Sequence, residues 1–424
     1  MNEEHKKILK QKKEDERKAI LITIIVVLVV ALMVLAVILL LPEKTTNTDN
    51  TVSGIIDTSD ETSAQISEEE KSVDGVTSEV EHESDEKSHD ISEELNETSE
   101  ETSNTDSLDT STNTDELIHK WVINNMGYTY IYGDTGLEQF NANESTMERY
   151  ANTINTLKKT LPGNVKVFNI LVPTNVEFVD IPRKIYSEDN FYNSSQMNTI
   201  NGIIDKLDKD IVTVNIYDTL SSKKDEYLYF RTDINWTSLA AYYAYCDFAS
   251  AAGFSPVNLN DFDKETYEGF LGRFYSATNE PSLAKNPDII EYYLTDKNNS
   301  CNLTVYNKGV TYSNYSLVGN EVSSKANGYN VFLGIEAEHH KITTGAANNK
   351  KLLIVSDTSA AAFIPFLVEE YSEIHYVNPN LYKNKISDLV AQNGIGQVLF
   401  MNYITNANRQ GFTNVLSQLD GVVE

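Results

Sequence analysis

Two polar turns in the second half of the chain carry side chains that could act on an ester. The first holds Asp233 and Asn235, within the run Tyr-Phe-Arg-Thr-Asp-Ile-Asn-Trp-Thr-Ser-Leu at residues 229–239. The second holds Thr358, shortly after the apolar run Leu-Leu-Ile-Val at residues 352–355. Acyl transfer needs a nucleophile, a base that touches it, an acid that orients the base, and donors for the oxyanion. The two turns together therefore resemble an active site with an unusual choice of residues.

Both turns lie at predicted strand-to-helix junctions, where α/β folds place their chemistry. A β-rich run precedes Asp233, and a helix is predicted at residues 238–252. A strand is predicted at 351–355 before Thr358, with a helix at 360–371 after it. Because ligand sites gather at the carboxyl ends of parallel strands, we expect the side chains of Asp233 and Thr358 to lie within about 10 Å of each other.

The remaining pattern alternates strands and helices. We predict a hairpin at 120–134, strands at 165–172, 211–216, 373–377 and 397–401, and helices at 145–161, 194–207 and 385–392. This order predicts an α/β fold with a doubly wound parallel sheet and helices on both faces. Residues 255–350, with Gly, Asn, Tyr and short strands, predict an insertion beside the sheet rather than an independent domain.

The first turn resembles the motif of the DHHW family, Asp-His-His-Trp in an Arg-Thr-Asp-His-His-Trp-Thr context. The runs at residues 269–276 and 289–293 also look familial, and the resemblance covers roughly residues 115–424. The family is similar to the alginate O-acetyltransferases, which have an SGNH-hydrolase-like fold. The resemblance implies that Asp-x-His supplies the acid and base of a Ser-His-Asp triad, with the Ser in a late Asp-Ser turn.

This chain departs from the family pattern at two positions. Asp233 keeps the acid, but Asn235 stands at the position of the His base and Thr358 at that of the nucleophilic Ser. An amide has no accessible basic nitrogen, and the extra methyl of threonine restricts χ1 and crowds attack. Ser356 and Ser359 could replace Thr358 only if the turn shifted its register.

The candidate substrate-binding residues are Arg231, Trp236, Ser356, Ser359 and Asn402. Arg231 could pair with the motif carboxylate, with an acidic ligand or with a structural carboxylate. Trp236 is expected to pack beneath the turn, because the family keeps an aromatic residue there. Asn402 is either an oxyanion-side residue, as in an SGNH-like fold, or a turn residue that ends a strand.

The histidines and cysteines give weaker signals. His375 is expected to be structural, whereas His339 and His340 lie in a region from which they could reach the site. Cys246 and Cys301 could form a disulfide in an oxidising exterior, but Cys246 also fits a small buried hydrophobe. Their spacing does not match a metal site, and we expect neither a metal nor a cofactor.

The charge of the chain is strongly negative and unevenly spread. The formal net charge is −29, from 34 Lys+Arg and 63 Asp+Glu. No basic stripe with interleaved aromatic residues is present, which argues against nucleic acid as a partner. Residues 43–114 contain 22 acids and 3 lysines and few apolar residues. That composition predicts a disordered acidic stalk.

The start of the chain predicts a membrane anchor. Residues 1–18 are basic, and residues 19–41 form an apolar run without a charge. Such a run is long enough to span a bilayer, and it lacks the short core and small-residue cleavage site of a signal peptide. The basic flank predicts a cytoplasmic N-terminus. The globular domain at 115–424 would then be extracellular, on a single-pass protein of the cell membrane.

Two functions compete on this basis. The chain could be an active acyltransferase or esterase of cell-surface polysaccharide that uses Thr358 or a neighbouring serine. Alternatively, it keeps the fold and the glycan groove without the chemistry. It would then bind glycan or assist an O-acetylation system, with a membrane-bound O-acyltransferase as a candidate partner. The changes at Asn235 and Thr358 favour the second function, and a purely structural surface protein is a third class.

Overall fold

The computed structural model describes residues 117–124 and 127–421. The predicted tail at 1–18, membrane span at 19–41 and stalk at 43–114 lie outside the described residues. Within the described ranges, no helix combines the length and the apolar character needed to cross a membrane.

The described elements alternate between strands and helices. The strands are β1 (His119–Asn124), β2 (Gly127–Tyr132), β3 (Thr135–Leu137), β4 (Lys166–Val172), β5 (Ile211–Thr213), β6 (Asp263–Phe270), β7 (Asp288–Leu294), β8 (Asn302–Asn307), β9 (Val310–Tyr312), β10 (His339–Thr343), β11 (Lys351–Ser356), β12 (Glu373–Val377) and β13 (Gln397–Tyr403). The α-helices are α1 (Glu144–Thr160), α2 (Arg183–Glu188), α3 (Gln196–Ile204), α4 (Tyr217–Ser222), α5 (Ser238–Ala252), α6 (Arg273–Thr278), α7 (Pro281–Ala284), α8 (Asp296–Ser300), α9 (Ala360–Phe363), α10 (Ile386–Asn393), α11 (Ile404–Ala407) and α12 (Gln410–Ser417). Short 3₁₀ helices lie at Asn175–Glu177, Leu259–Asp261, Lys325–Val331, Ile364–Leu367 and Gln418–Asp420.

The central sheet is mixed rather than wholly parallel. Its strand order is β5-β4-β13-β11-β12-β10-β8-β9. In the part β5-β4-β13-β11-β12, each adjacent pair of strands is parallel, as predicted. The pairs β12–β10, β10–β8 and β8–β9 are antiparallel, so the sheet is mixed where a wholly parallel sheet was predicted.

Burial patterns explain why the two halves of the sheet differ. Every position of β11 after Lys351 is buried, as expected for a strand covered on both faces. Strand β10 instead alternates half-buried and buried positions over most of its length, which is typical of an antiparallel strand covered on one face. Strands β8, β9 and β10 lie within residues 255–350. Part of the predicted insertion therefore extends the sheet instead of lying beside it.

Helices cover both faces of the parallel half. On one face, Phe248 of α5 belongs to the same buried cluster as Leu352 and Ile354 of β11. On the other face, Ile154 of α1 belongs to a second cluster with Leu353 of β11. Successive residues of β11 thus enter opposite cores, as the two-residue period of a strand requires. This two-sided packing holds the carboxyl end of β11, and the turn after it, in a fixed position.

The run before Asp233 forms a closed loop, not the predicted strand. Its one described ladder contact is an isolated antiparallel bridge between Tyr229 and Trp236. The N–H of Phe230 donates to the carbonyl of Asn235 at 3.3 Å, and the loop closes further through Thr237. The β-rich segment therefore pairs with itself and not with the sheet. Asp233 lies at the tip of the loop that this pairing closes.

Asp288 fastens this loop to the start of β7. The carboxylate is fully buried. One oxygen accepts from the N–H of Thr232 at 2.8 Å and from its hydroxyl at 2.6 Å. The other accepts from the N–H of Arg231 at 3.2 Å and from the hydroxyl of Tyr227. The two residues immediately before Asp233 are therefore held through their backbone by one buried carboxylate.

The two cysteines are both free thiols, so the disulfide that the sequence allowed is absent. Cys246 is half-buried in α5, and the Sγ of Cys301 donates to the carbonyl of Lys297 at 3.0 Å. Burial raises the pKa of both thiols above its usual value. Both side chains therefore remain neutral at physiological pH, and Cys246 behaves as the small hydrophobe that its position allowed.

Candidate active site

The three predicted triad positions form one hydrogen-bonded line. The hydroxyl of Thr358 donates to Oδ1 of Asn235 at 2.8 Å. The Nδ2 of Asn235 donates to Oδ1 of Asp233 at 2.6 Å. The expected convergence of Asp233 and Thr358 is thus confirmed, although Asp233 reaches the site from a loop and only Thr358 follows a strand of the sheet.

Backbone donors fix the carboxylate of Asp233. Its Oδ1 also accepts from the N–H of Asn235 at 2.9 Å, and its Oδ2 accepts from the N–H of Arg273 at 2.7 Å. Burial raises the pKa of Asp233, and these donors oppose that rise. With both oxygens accepting, the carboxylate presents only acceptors to its neighbours. The amide of Asn235 must therefore turn its NH₂ group toward Asp233 and its oxygen toward Thr358.

Tyr403 fixes the same amide from its other side. The N–H of Trp236 donates to the Tyr403 hydroxyl at 3.0 Å, which leaves that hydroxyl free to donate. It does so to Oδ1 of Asn235 at 3.4 Å. Burial raises the pKa of Tyr403 well above its usual value, so the phenol keeps its proton. Both lone pairs of the Asn235 oxygen therefore face hydroxyl donors.

Gly272 is required by the close approach of Asp233. A Cβ at Gly272 would lie 2.2 Å from the Cβ of Asp233 and 2.3 Å from its Oδ2. The backbone of Gly272 is also held in place, because its N–H donates to the hydroxyl of Thr232 at 2.9 Å. The glycine lets the backbone before α6 reach the carboxylate.

The variant Gly272→Ala should therefore lower the free energy of unfolding by about 1–3 kcal/mol, because overpacking must displace either Asp233 or the loop that holds it. The measurement is chemical denaturation of the full chain. The matched control is Gly411→Ala in α12, where an added Cβ meets nothing within 4 Å. The control should be neutral or slightly stabilising, since alanine favours a helix. Equal stability of the two variants would contradict the close approach.

Thr358 opens onto a pocket of about 460 Å³. That volume is within the range of about 300–1,000 Å³ that small-molecule sites occupy. The pocket is lined by Glu138, Thr174, Asn175, Ile234, Arg273, Phe274, Glu336, Asp357, Thr358, Asn380, Tyr403, Thr405, Asn406 and Arg409. Most of these side chains carry hydrogen-bonding groups, so the pocket suits a ligand with many hydroxyl groups.

Asp357 shapes the turn that presents Thr358. Its Oδ1 accepts from the N–H of Ser359 at 3.0 Å. Its Oδ2 accepts from the N–H of Tyr403 at 2.9 Å and from Nδ2 of Asn406 at 2.7 Å. Burial raises the pKa of Asp357, while these donors oppose the rise. The turn after β11 is thereby tied to the end of β13.

The flanking serines and the tryptophan are buried away from the pocket. Ser356 and Ser359 are fully buried, and their hydroxyls lie 3.1 Å apart in a mutual hydrogen bond. The indole of Trp236 is also fully buried and donates to the carbonyl of Ser359 at 3.0 Å. None of the three lines the pocket. Trp236 packs beneath the turn, as expected, and joins the two polar turns.

Arg231 and Asn402 are likewise turned away from Thr358. Arg231 pairs with two structural carboxylates, Asp288 at 3.4 Å and Asp134 at 3.5 Å, which was one of its open alternatives. The Oδ1 of Asn402 accepts from the hydroxyl of Tyr150 at 2.9 Å, on the α1 side of the sheet. The oxyanion interpretation of Asn402 therefore has no support in this geometry.

Among the described residues, no histidine lines the pocket around Thr358. His340 is buried and bonds the carbonyl of Ile335 at 3.0 Å. The side chains of His339 and His375 bond each other at 2.9 Å. His375 is thus structural, as expected, and neither His339 nor His340 replaces the missing base.

Two residues of the site, Arg273 and Tyr403, were not predicted from the sequence. Arg273 contributes its N–H to Asp233 and its side chain to the pocket, where it lies 3.7 Å from Glu336. It stands inside the run at 269–276 that resembled the family, so a signal for it existed. Tyr403 follows Asn402 directly, but a tyrosine at the end of a strand has no pattern that marks it as part of a site.

The fold and the site together define an α/β protein in which three polar side chains form a hydrogen-bonded line beside a pocket. A sequence model described as DHHW protein matches residues 46–377, more than half of the chain. The chain therefore belongs to the DHHW family. No curated protein matches its sequence.

Solved structures share the fold. A DHHW family protein from Eubacterium siraeum DSM 15702 is 27% identical, with 71% of this chain and 98% of that chain covered and a TM-score of 0.63. Bacillus cereus PatB1, in a structure with a sulfonyl adduct, is 15% identical, with 72% and 99% covered and a TM-score of 0.55. The O-acetyltransferase domain of Pseudomonas putida AlgJ is 12% identical, with 70% and 99% covered and a TM-score of 0.40.

Proposed function

We propose that this chain is a glycan-binding or accessory protein of cell-surface polysaccharide O-acetylation, with its acyl-transfer chemistry impaired. One observation supports the impairment most strongly. The group in contact with the Thr358 hydroxyl is the amide oxygen of Asn235, at 2.8 Å. An amide oxygen accepts a hydrogen bond but does not take up the proton at neutral pH. Thr358 thus remains a neutral alcohol, which is a weak nucleophile.

The role in glycan binding is supported by the family and by the pocket. The DHHW family is similar to alginate O-acetyltransferases, and this chain belongs to it. The pocket beside Thr358 keeps both cationic and anionic side chains, such as Arg273 and Glu336, among many hydroxyls and amides. Sugar hydroxyls both donate and accept hydrogen bonds, so such walls suit them. A membrane-bound O-acyltransferase is the partner that an accessory role would require.

A second candidate function is an active acetyltransferase or esterase that uses Thr358. It is favoured by the position of the hydroxyl, which lines the pocket and lies at hydrogen-bond distance from the next group of the triad line. The buried positions of Ser356 and Ser359 leave Thr358 as the hydroxyl for this mechanism. It would need a base that the described residues do not place against Thr358.

Hydrolysis of p-nitrophenyl acetate distinguishes the two functions. The full chain should hydrolyse the ester no faster than its Thr358→Ala variant, because an unactivated hydroxyl contributes nothing above background. Acetate release from an O-acetylated polysaccharide is the second readout. A rate that falls to background only when Thr358 or Asp233 is removed would establish the active alternative instead.

We also propose that residues 19–41 anchor the protein in the cell membrane, with the globular domain outside and the acidic segment at 43–114 as a spacer. The basic residues at 1–18 support this orientation. Protease added to intact cells should release a fragment that contains the globular domain. A chain that stays fully protected, or a mature N-terminus beyond residue 41, would show that the anchor is wrong.

A further inference from the structure

The hydrogen bonds around Asn235 run in a fixed direction. Asp233 accepts at one end, where both of its oxygens already bind backbone N–H groups. At the other end the Tyr403 hydroxyl accepts from the N–H of Trp236 and donates to Asn235. The amide cannot flip without placing its oxygen against the carboxylate, where acceptor would face acceptor. The orientation of the Asn235 amide is therefore set by groups that are buried.

Thr358 consequently gives its only proton inward. Its hydroxyl donates to Asn235 at 2.8 Å, and a hydroxyl has one donor and two acceptor positions. The side chain is half-buried and lines the pocket. What Thr358 offers to a ligand is thus a hydrogen-bond acceptor. A ligand atom in contact with it must bring its own proton to form a favourable contact.

We propose that this pocket distinguishes acylated from free polysaccharide. It binds a segment whose sugar hydroxyl faces Thr358 and rejects the same segment when that sugar hydroxyl carries an acetyl ester. The inference rests on the proposed glycan-binding function and names its specificity. A free sugar hydroxyl donates to the Thr358 oxygen. An ester has only acceptor oxygens, so two acceptors would face each other and the Thr358 lone pairs would lose water without a replacement.

The walls of the pocket support a hydroxyl-rich occupant. Arg273 and Arg409 provide donors, while Glu138 and Glu336 provide acceptors. A sugar ring can satisfy both kinds of group, because each hydroxyl donates once and accepts twice. The acetyl methyl and carbonyl would gain little from these walls. Ile234, which lies between Asp233 and Asn235 in the sequence, supplies an apolar part of the wall.

The test uses the full chain on a printed array of oligosaccharides, each present with all hydroxyls free and again with a single acetyl ester at one defined position. At least one oligosaccharide should bind in its free form, and its acetylated form should bind at least about 10-fold more weakly. Equal or tighter binding of the acetylated form would overturn this inference and leave glycan binding intact. No binding to any oligosaccharide would overturn both.

Variants at Thr358 assign the discrimination to the pocket. Thr358→Val keeps the shape but removes the acceptor, and should bring the two affinities to within about 3-fold of each other. Thr358→Ser keeps the hydroxyl and should retain the preference. Thr311→Val, at an exposed position of β9, is the matched control and should behave as the unmodified chain. If Thr358→Val kept the full preference for the free oligosaccharide and its melting temperature were unchanged, Thr358 would not be the residue that causes the preference.

Discussion

The double variant Asn235→His with Thr358→Ser should hydrolyse a small activated acetyl ester at least about 100-fold faster than the unmodified chain, because it gains a general base. The amide of Asn235 already has the hydrogen-bond pattern of a neutral imidazole. Its Nδ2 donates to Asp233 as Nδ1–H would, and its Oδ1 accepts from Thr358 as Nε2 would. The property that an imidazole adds is basicity.

The single variants should separate the two contributions. Thr358→Ser alone should remain near background, since the serine still faces an amide. Asn235→His alone should gain less than the double variant, because the threonine methyl still crowds attack. Within the double variant, Asp233→Ala should remove most of the gain, as loss of the orienting acid costs on the order of 10⁴ in a related triad. Full activity from Thr358→Ser alone would mean that the base is a different residue.

The variant Asp288→Ala should lower the free energy of unfolding by about 1–3 kcal/mol, because buried hydrogen-bond donors lose their acceptor. Asp288 is fully buried and lies 3.4 Å from the guanidinium of Arg231. Its loss also leaves the N–H and hydroxyl of Thr232 without their acceptors at 2.8 and 2.6 Å. Urea denaturation of the full chain is the measurement.

The matched control for Asp288 is Asp263→Ala, at an exposed position of β6. A surface substitution of this kind should change stability by no more than about 0.5 kcal/mol. If Asp288→Ala were as mild as the control, the loop that carries Asp233 would be held by its own backbone bonds and not by the carboxylate. In that case Asp288→Ala would also leave the activity of the Asn235→His, Thr358→Ser double variant unchanged.

The parallel half of the fold could be predicted because its strands are apolar along their whole length. Strand β12 (Glu373–Val377) and helix α5 (Ser238–Ala252) have the bounds that the sequence pattern indicated. The predicted helix at 360–371 is instead α9 followed by a 3₁₀ helix that contains Pro365. Proline has no N–H to donate, so the regular helix stops before it.

The antiparallel half could not be predicted in the same way. Strand β10 contains His339 and Lys341 on one side and His340 and Ile342 on the other, so its pattern is polar at most positions. Its place in the sheet depends on pairing with β8 and β12, which are far from each other in sequence. Long-range pairing of this kind leaves no local signal.

The site shows the same division. Asp233, Asn235 and Thr358 could be predicted to meet because the two turns match the acid, base and nucleophile positions of the family, and they do meet. The direction of the hydrogen bonds could not be predicted, since it depends on Tyr403 and on the N–H of Arg273. These contacts join residues that are distant in sequence, and only the folded chain shows which atom donates.

Reaction with a sulfonyl fluoride tests whether Thr358 is an unactivated alcohol. Attack by Oγ1 would form an O–S bond and release fluoride, and intact mass spectrometry of the full chain detects the added mass. We predict no adduct on the unmodified chain. The double variant Asn235→His with Thr358→Ser is the positive control and should form an adduct on the serine that it introduces. An adduct at Thr358 of the unmodified chain, lost in Asp233→Ala, would show that Thr358 is an activated nucleophile.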